Sequence, residues 1–344
     1  MITMKRLLFL CAFIMIVPIL TFGQIITDVS KVGTTSATFL KIEAGARAVS
    51  MGGAFVAVDN DATAIYWNPS GIARLPQTEV VFIHTKWLAD INFDFVAFVL
   101  PLGMFGNLGA SLTSLSMDEK KVRTVFYPDG TGEKYDAGDM AASLTYARNL
   151  TDRFSIGFNV KYIHQHIWHM ASSSFAMDIG TLFTTGFNGM KIGMSISNFG
   201  NKMRLEGKDS NIYYDPDPVK YGNNDKIPAQ SQTDKFDLPL IFRVGLAMDV
   251  LKGERNRLTL AIDAVHPNDN TENLNLGAEY LFNNILSLRA GYKNLFTRDS
   301  EEGFTAGAGI EYGVFGNTSM KIDFAYQDFG LLNNVQIFSL GLEF

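Results

Sequence analysis

The chain has 344 residues, of which 47% are hydrophobic, 12% aromatic and only 19% charged, and its mean hydropathy is +0.08. Its formal net charge of −6 and isoelectric point near 5.4 argue against a nucleic-acid partner, because nucleic-acid binding requires a clustered basic face. A chain of this length fits one large domain, and one closed barrel is more plausible than two domains.

The N-terminus has the three parts of a secretory signal peptide. Lys5 and Arg6 supply a basic start, and residues 7–20 form an apolar core. The sequence Thr21-Phe22-Gly23 is a small-x-small cleavage site. We therefore assign residues 1–23 to a signal peptide and expect the mature chain to begin near Gln24. A retained membrane anchor is the alternative.

The only cysteine of the chain, Cys11, lies inside this apolar core. It is too early in the sequence, and has the wrong neighbours, for a lipoprotein site. A mature protein without Cys11 has neither disulfides nor thiolate metal sites. Translation from Met4 fits the signal pattern equally well.

Past the N-terminus the sequence has no apolar run of about 18 residues, the length that a membrane-spanning helix requires. The high hydropathy and the signal peptide nevertheless favour a membrane protein. Without spanning helices such a protein must be a closed β-barrel, because open strand edges would leave backbone groups unpaired in hydrocarbon.

The stretch from Phe39 to Leu75 is rich in glycine and alanine and lacks the alternation of a strand. Its glycines allow positive φ angles or the close approach of another backbone. The Asn68-Pro69 bond restricts Asn68 to extended conformations, and a glycine two residues later permits a tight turn. We expect residues 24–76 to form a compact plug, near Thr34 to Leu75, with the motif residues Gly45, Gly52, Gly53, Asn68, Pro69 and Gly71. An ordinary helix and loop capping the barrel is the alternative.

The sequence GARAVSMGGAFVAVDNDATAIYWNPSGIA within this stretch resembles the N-terminal signature of the PorV/PorQ family of outer-membrane proteins. That family is related in fold to the FadL-like long-chain fatty-acid channels. In the wider group an alanine- and glycine-rich segment ending in an Asn-Pro-small motif leads into the first barrel strand. Residues Asn68, Pro69, Ser70 and Gly71 occupy the matching positions, and the resemblance covers about a tenth of the chain.

From Gln77 to the C-terminus, segments of alternating polarity predict about 14 strands, mostly 8 to 12 residues long, as a tilted membrane-spanning strand requires. Their predicted starts are Gln77, Ile91, Phe105, Gly138, Arg153, Ser174, Met190, Leu238, Asn256, Asn273, Ile285, Gly303, Thr318 and Asn334. The predicted fold class is therefore an all-β membrane protein: a closed antiparallel transmembrane β-barrel over residues 77–344, FadL-like, with an N-terminal plug. A soluble sandwich is the alternative, but its strands are usually shorter.

Connection lengths give the barrel an orientation. The connections after even-numbered strands are short, whereas those after odd-numbered strands include the two longest, Ser116 to Ala137 and Asn198 to Asp237. Outer-membrane barrels have short periplasmic turns and long external loops. We therefore expect the outer membrane of a Gram-negative bacterium, with both termini in the periplasm and outer-membrane lipid around the barrel.

Charged residues on the polar parity of the strands are predicted to face the lumen. They are Lys161, Asp178, Lys191, Arg243, Asp249, Asp263, Glu279, Arg289, Glu311, Lys321 and Asp323. Both signs are mixed, so we expect ion-paired ladders that meet the plug. A water-filled pore is the alternative. Arg148 falls on the opposite parity at the periplasmic end, where a lipid-facing arginine costs only about 0 to 1 kcal/mol.

The last strand places four apolar side chains on one face. They are Phe338, Leu340, Leu342 and the terminal Phe344. This pattern resembles the C-terminal signal that the outer-membrane assembly machinery recognises, which makes that machinery an expected partner.

The sequence contains no catalytic constellation and no cofactor motif. It has no G-x-S-x-G sequence, so a serine hydrolase is disfavoured, and a barrel enzyme such as a phospholipase is the remaining catalytic alternative. His164, His166 and His169 lie near one strand end without a carboxylate nearby in sequence, so a polar strand end is favoured over a metal site. The acidic residues near 118–139 lack calcium-loop spacing.

The long loop from Asn198 to Asp237 is the candidate partner-binding surface. Aromatic residues and the Asp215-Pro216-Asp217-Pro218 sequence suit contact with another protein or with lipopolysaccharide sugars. Its candidate residues are Tyr213, Tyr214, Asp215, Tyr221 and Phe236. A disordered loop is the alternative.

The resemblance to the PorV/PorQ family implies a role in type IX protein secretion. It implies a barrel that engages a large translocon or a cell-surface attachment complex and binds the C-terminal signal domain of exported proteins. The FadL-like fold suggests a competing function, passive uptake of a hydrophobic small molecule through a lateral opening at a kinked strand. Candidate kink positions are Gly106, Gly109, Gly157, Gly180, Gly193 and Gly245. A general porin is disfavoured by the plug.

Overall fold

The computed structural model describes residues 31–344, apart from residues 221, 223, 298 and 299. The predicted signal peptide at residues 1–23 lies outside the described residues. In the part of the chain described, no helix combines the length and the apolar character needed to cross a membrane.

Fourteen long strands form the main sheet of the described residues. They are β1 (Glu79–Lys86), β2 (Asn92–Pro101), β3 (Asn107–Ser116), β4 (Ala137–Asn149), β5 (Phe154–Ile167), β6 (Met170–Thr184), β7 (Lys191–Gly200), β8 (Ile241–Lys252), β9 (Arg257–Pro267), β10 (Asn273–Phe282), β11 (Leu286–Leu295), β12 (Phe304–Phe315), β13 (Thr318–Asp328) and β14 (Asn334–Glu343). Each strand pairs antiparallel with its neighbours in sequence, and β1 pairs with β14, which closes the sheet. The predicted closed 14-stranded antiparallel barrel is confirmed.

Side chains alternate between the two faces of this sheet because a strand has a period of two residues. In β5, Ser155 and Asn159 are buried on the inner face, whereas Phe158 and Val160 are exposed on the outer face. An outward apolar band around a polar interior is the arrangement of outer-membrane barrels.

Shorter elements lie in the connections. They are the hairpin of Lys120–Lys121 with Lys134–Tyr135, the strand Glu206–Gly207 beside β6, the hairpin of Asn211–Tyr214 with Ile227–Gln230, and the 3-10 helices Leu88–Asp90, Gly103–Phe105, Lys208–Ser210 and Gly330–Leu332. We call the end with the connections after even-numbered strands the turn end, and the opposite end the loop end. The two longest connections, 117–136 and 201–240, are both at the loop end.

The predicted start of the sixth strand at Ser174 is wrong by four residues. The β5–β6 ladder continues to the pair Ile167 and Met170, which leaves a two-residue connection at Trp168 and His169. The sequence Ala-Ser-Ser-Ser after Met170 has no hydrophobic alternation, and pairing with β5 overrides this weak local preference.

Residues 37–75, which we call the insert, lie inside the barrel. Their elements are a 3-10 helix at Thr38–Lys41, α1 (Ala46–Ser50), α2 (Ala64–Trp67) and a 3-10 helix at Pro69–Arg74. Phe39, Phe55 and Trp67 are at most 2% exposed. The many alanines fit the narrow space between the insert and the wall.

The insert runs the length of the lumen. Just before it, Thr35 forms a bridge with Asp237 at the loop end. At its other end, Arg74 donates a 2.6 Å hydrogen bond to Thr184 at the turn end. The first residue of β1 and the last residue of β14 also lie at the turn end, opposite each other.

A three-residue charge cluster joins β13 to the seam between β1 and β14. The Lys321 ammonium lies 3.2 Å from Glu79 and 3.0 Å from Glu343. Because Glu79 is almost completely buried, its charge needs this partner.

We predict that Lys321→Met destabilises the barrel by about 3 kcal/mol, since the variant leaves a buried carboxylate unpaired. The measurement is the temperature at which the folded band disappears in gel electrophoresis of the detergent-solubilised protein. Lys134→Met, which breaks an exposed pair with Glu119, is the matched control and should leave that temperature unchanged. Equal stability of Lys321→Met and the wild type would contradict a role of this cluster in closure.

Candidate functional site

The Asn68 side chain forms hydrogen bonds both within the insert and to the barrel wall. Its side-chain oxygen accepts hydrogen bonds from the Ser70 amide (3.2 Å) and hydroxyl (2.7 Å), which caps the 3-10 helix that Pro69 begins. Its side-chain nitrogen donates to the carbonyl of Val56 at 2.7 Å and to that of Thr181 in β6 at 3.0 Å. A buried side chain with all these bonds fixes the turn against the wall.

The other motif residues allow tight packing within the insert. Gly45, Gly52 and Gly53 have positive φ angles of 103°, 66° and 72°. Gly71 has an ordinary φ, but a Cβ there would lie 2.8 Å from the Cβ of Ala64. Larger residues at these positions would strain the backbone or overlap neighbouring atoms.

Glycines on the inner wall let the insert backbone come into direct contact with the strands. Six of them form three cross-strand pairs, Gly157 with Gly180, Gly193 with Gly245, and Gly277 with Gly291. A Cβ on Gly157 would lie 2.4 Å from the Pro69 carbonyl carbon, and one on Gly291 would lie 2.1 Å from the Gly52 nitrogen.

The kink hypothesis for the strand glycines is wrong where it can be compared with the ladder. Pairing continues without a register shift through Gly109, Gly157, Gly180, Gly193 and Gly245. The β6–β7 ladder shifts register at Asp178, two residues before Gly180. The lack of a side chain at these glycines is explained by contact with the insert. Gly106 precedes β3 in a turn with φ of 95° rather than lying within a strand.

Ion pairs join the insert to the wall along its length. Lys41 lies 2.7 Å from Asp269 near the loop end, and Arg47 lies 2.8 Å from Glu279 in β10. At the turn end Asp59 pairs with Lys191. The side chains of Asp269 and Glu279 are at most 2% exposed, so the insert neutralises charges on the barrel that water does not reach.

The wall charges also pair with one another, as ladders of mixed sign. Arg289 lies 2.8 Å from Glu279 and 2.5 Å from Asp323, and Lys161 lies 2.9 Å from Asp178. Glu279 thus receives two guanidinium groups, one from the wall and one from the insert. These contacts match the ion-paired ladders expected from strand parity.

Asp263 binds the insert without a charged partner. Its Oδ2 accepts hydrogen bonds from the amides of Phe55 and Val56, both at 2.8 Å, and the residue is fully buried. Sequence reasoning assigned Asp263 to the lumen but missed this role, because backbone amides leave no signal in residue type.

Burial also affects Glu43 in the insert. Its carboxylate lies 3.1 Å from the ammonium of Lys293 in β11, which neutralises the buried charge. Sequence reasoning missed Glu43, Arg47 and Asp59 as partners of the wall. Their isolated charges within a small-residue stretch were the available signal.

Two of the cavities between the insert and the wall differ sharply in size and lining. One, of about 20 Å³, lies beside Phe39, Tyr66 and Arg243 and is about the size of a water molecule. Arg243 packs over the Trp67 ring, with 5.4 Å from its guanidinium carbon to the ring centroid. The other, of about 570 Å³, is open at the turn end and is lined by charged residues including Arg257 and Glu311.

The loop-end surface holds most of the candidate partner-binding residues. Tyr213 and Tyr214 are exposed on a two-stranded hairpin, with Asp215 directly after them. Phe236 is also exposed but lies apart from the hairpin, where its backbone pairs with Met203. Tyr221 lies outside the described residues.

The histidines at the loop end contact carboxylates and a serine. His166 lies 3.3 Å from Asp136, and His169 lies 2.9 Å from Asp209. His164 is 2.9 Å from the Ser173 hydroxyl. Over residues 31–344 with the four omissions, no group of three histidine, cysteine or acidic residues is arranged to hold a metal ion.

The apolar side chains of the last strand lie on the outer face. Phe338, Leu340 and Phe344 are exposed there, and Leu342 is half-buried. This position is accessible from the membrane.

Comparison with known proteins identifies a matching protein family and one curated relative. A family model described as "Type IX secretion system protein PorV" matches residues 26–266. The UPF0164 protein of Treponema pallidum (strain Nichols) is 26% identical over 178 residues, which cover 48% of this chain and 44% of that protein. The chain thus spans less than half of that curated relative.

Three solved structures are similar to this chain in fold. The Pseudomonas putida toluene transporter TodX has a TM-score of 0.55 at 13% identity, covering 87% of this chain and 97% of that one. The Ralstonia pickettii toluene transporter TbuX has a TM-score of 0.51 at 12% identity, covering 87% and 97%. A Pseudomonas aeruginosa FadL homologue has a TM-score of 0.50 at 12% identity, covering 86% and 96%. At these identities the likeness shows the fold alone.

We predict that Gly157→Ala and Gly291→Ala each destabilise the protein by about 1–3 kcal/mol, because the added methyl overlaps the insert backbone. Gly313→Ala is the matched control, since a Cβ at that strand glycine meets no atom within 4 Å. The measurements are the unfolding temperature and the rate of trypsin cleavage at Arg47 and Arg74. Unchanged cleavage in both variants would contradict the described contact between insert and wall.

Proposed function

Because the chain belongs to the PorV family of type IX secretion system proteins, and is therefore an outer-membrane protein, we propose that it is a binding component of that system. In this role the barrel binds a translocon or exported proteins through its loop end. The insert is a plug that keeps the lumen closed. The single observation that carries the proposal is that the insert occupies the lumen with paired charges on both sides of the contact.

The filled lumen supports binding over conduction. Polypeptides would have to displace the insert, and displacement would remove the Lys41 partner of Asp269 and one of the guanidinium partners of Glu279. Removing one partner from a buried ion pair costs about 3–5 kcal/mol. Several such pairs would be lost together, so a role at the surface of the barrel is favoured.

The orientation that we propose places the turn end in the periplasm and the loop end outside the cell. Its support is the length of the connections, since outer-membrane barrels have short periplasmic turns and long external loops. In this orientation the C-terminus is periplasmic, whereas the insert begins at the external end, where Thr35 pairs with Asp237, and finishes at the periplasmic end. The expectation that both termini are periplasmic therefore does not fit the described start of the chain. The C-terminal strand remains the proposed signal for the assembly machinery.

The proposed docking surface consists of two external projections. The hairpin in connection 201–240 exposes Tyr213 and Tyr214, and the tip of connection 117–136 exposes Val125 and Phe126. Exposed aromatic residues in small clusters are typical of protein interfaces, and tyrosine is enriched among the residues that dominate binding energy.

Passive uptake of a hydrophobic small molecule is the second candidate, because TodX and TbuX are toluene transporters and share the fold. One wall irregularity favours it. The β6–β7 ladder shifts register at Asp178, next to the cavity beside Tyr66. That cavity measures about 20 Å³, whereas a cavity of about 150 Å³ is known to bind benzene. The secretion role is therefore favoured.

We predict that the tagged, detergent-solubilised protein recovers a large outer-membrane barrel, or exported proteins that share a C-terminal domain, from its own envelope. The measurement is affinity purification with identification of partners by mass spectrometry. The double variant Tyr213→Ala/Tyr214→Ala should recover these partners about tenfold less well, as expected for loss of central aromatic contacts.

Leu331→Ala/Leu332→Ala is the matched control, because both leucines are exposed in a different connection at the loop end. It should recover partners as the wild type does. If the wild type is purified alone with a fatty acid or another lipid in its lumen, the uptake function replaces the secretion function.

A further inference from the structure

The turn end is divided into an apolar half and a polar half. The connections between β2 and β3, β4 and β5, and β6 and β7 expose large apolar side chains at their tips. These are Leu102, Met104, Phe105, Leu150 and Phe187. The connections between β8 and β9 and between β12 and β13, at residues 253–256 and 316–317, consist of glycine and polar residues. The β10–β11 connection between them, residues 283–285, has two asparagines and one exposed apolar residue, Ile285. The apolar tips therefore follow one another around one side of the barrel.

The β2–β3 connection is the most apolar of these. From Leu100 to Leu108 the sequence is LPLGMFGNL, and its only polar side chain is Asn107. The Asn107 amide points inward, donating to the Ile72 and Leu75 carbonyls at 2.5 and 2.9 Å. No polar side chain in this run is left for the outer face.

This apolar run is continuous with the lipid-facing surface. Leu100 and Leu108 are exposed on the outer face of β2 and β3, and Met104 between them is 78% exposed. Tyr146, on the outer face of β4, donates a 2.7 Å hydrogen bond to the Phe105 carbonyl. The turn thus lies against the outer face of the barrel, next to the surface of the strands that faces lipid.

A guanidinium group lies beside the turn. Arg148 is exposed on the outer parity of β4, and a Cβ on Gly106 would lie 3.1 Å from the Arg148 Cβ. Among the described residues Arg148 forms no ion pair, unlike the wall arginines of the lumen. An unpaired, outward arginine next to exposed apolar residues at a membrane boundary matches the chemistry of a lipid phosphate, which arginine binds with two parallel hydrogen bonds.

We propose that Leu102, Met104, Phe105, Tyr146 and Arg148 form a lipid-anchoring patch. The apolar side chains enter the membrane leaflet at the turn end, and Arg148 binds the phosphate of a phospholipid headgroup. Apolar anchors of this kind are buried about 5–10 Å into the boundary between headgroups and acyl chains. The patch lies on one side of the barrel, so this side is immersed more deeply than the side of β8 to β13.

The absence of other cysteines gives a direct test of immersion. In a Cys11→Ser background, a nitroxide label is attached to one introduced cysteine at a time, in the variants Met104→Cys, Leu144→Cys and Asn317→Cys. Each labelled protein is inserted into vesicles of phosphatidylethanolamine and phosphatidylglycerol. Leu144 is a lipid-facing reference, 72% exposed on the outer face of β4, and Asn317 lies on the polar half of the turn end. Electron paramagnetic resonance measures label collisions with oxygen, which enters lipid, and with a water-soluble nickel chelate.

The proposal expects the Met104 label to match the Leu144 label, with frequent oxygen collisions and loss of nickel collisions, while the Asn317 label collides with nickel. A Met104 label that behaves like the Asn317 label would overturn immersion and leave the turn to a water-exposed protein partner. This result is independent of the secretion role.

The headgroup contact has its own test. Native mass spectrometry of the purified barrel should detect retained phosphatidylglycerol in the wild type and in Arg255→Gln, an exposed turn arginine on the polar half, but a loss in Arg148→Gln. Equal retention in both variants, or no retained lipid in the wild type, would overturn the phosphate contact.

Discussion

Closing fourteen strands into a barrel creates a lumen lined by charged side chains, and those that water does not reach, such as Glu279, need charged partners. The insert supplies such partners. Arg47 and Lys41 pair with the buried carboxylates of Glu279 and Asp269, and Asp263 accepts two backbone amides of the insert. A buried carboxylate without such a partner would be costly, so the wall and the insert depend on each other.

The pairing of these charges also requires the insert backbone to lie in direct contact with the strands. The insert can present its backbone to Asp263 and its charges to the wall only if strand and insert are in contact, and paired glycines such as Gly157 and Gly180 allow it. The insert in turn needs small residues and the Asn68 turn to fit this space. A lumen filled in this way favours a barrel that acts through its surfaces, externally on proteins and, at the turn end, on lipid.

Strand number, closure and the side of each charge could be predicted from the sequence, because a period of two fixes the face of every residue. The start of β6 could not, since pairing with β5 rather than local preference extends it. The role of the strand glycines could not be predicted either, because a missing side chain gives the same signal whether it bends a strand or admits another backbone. The partners of the lumen charges depend on how the insert is placed, which residue type alone does not encode.

The central claim is that the loop end binds protein while the insert keeps the lumen closed. The most direct measurement is photo-crosslinking in the intact envelope from a photoreactive amino acid placed at Tyr213, followed by mass spectrometry of the products. The account predicts covalent adducts with a defined outer-membrane or exported protein. Adducts with lipid alone would contradict it.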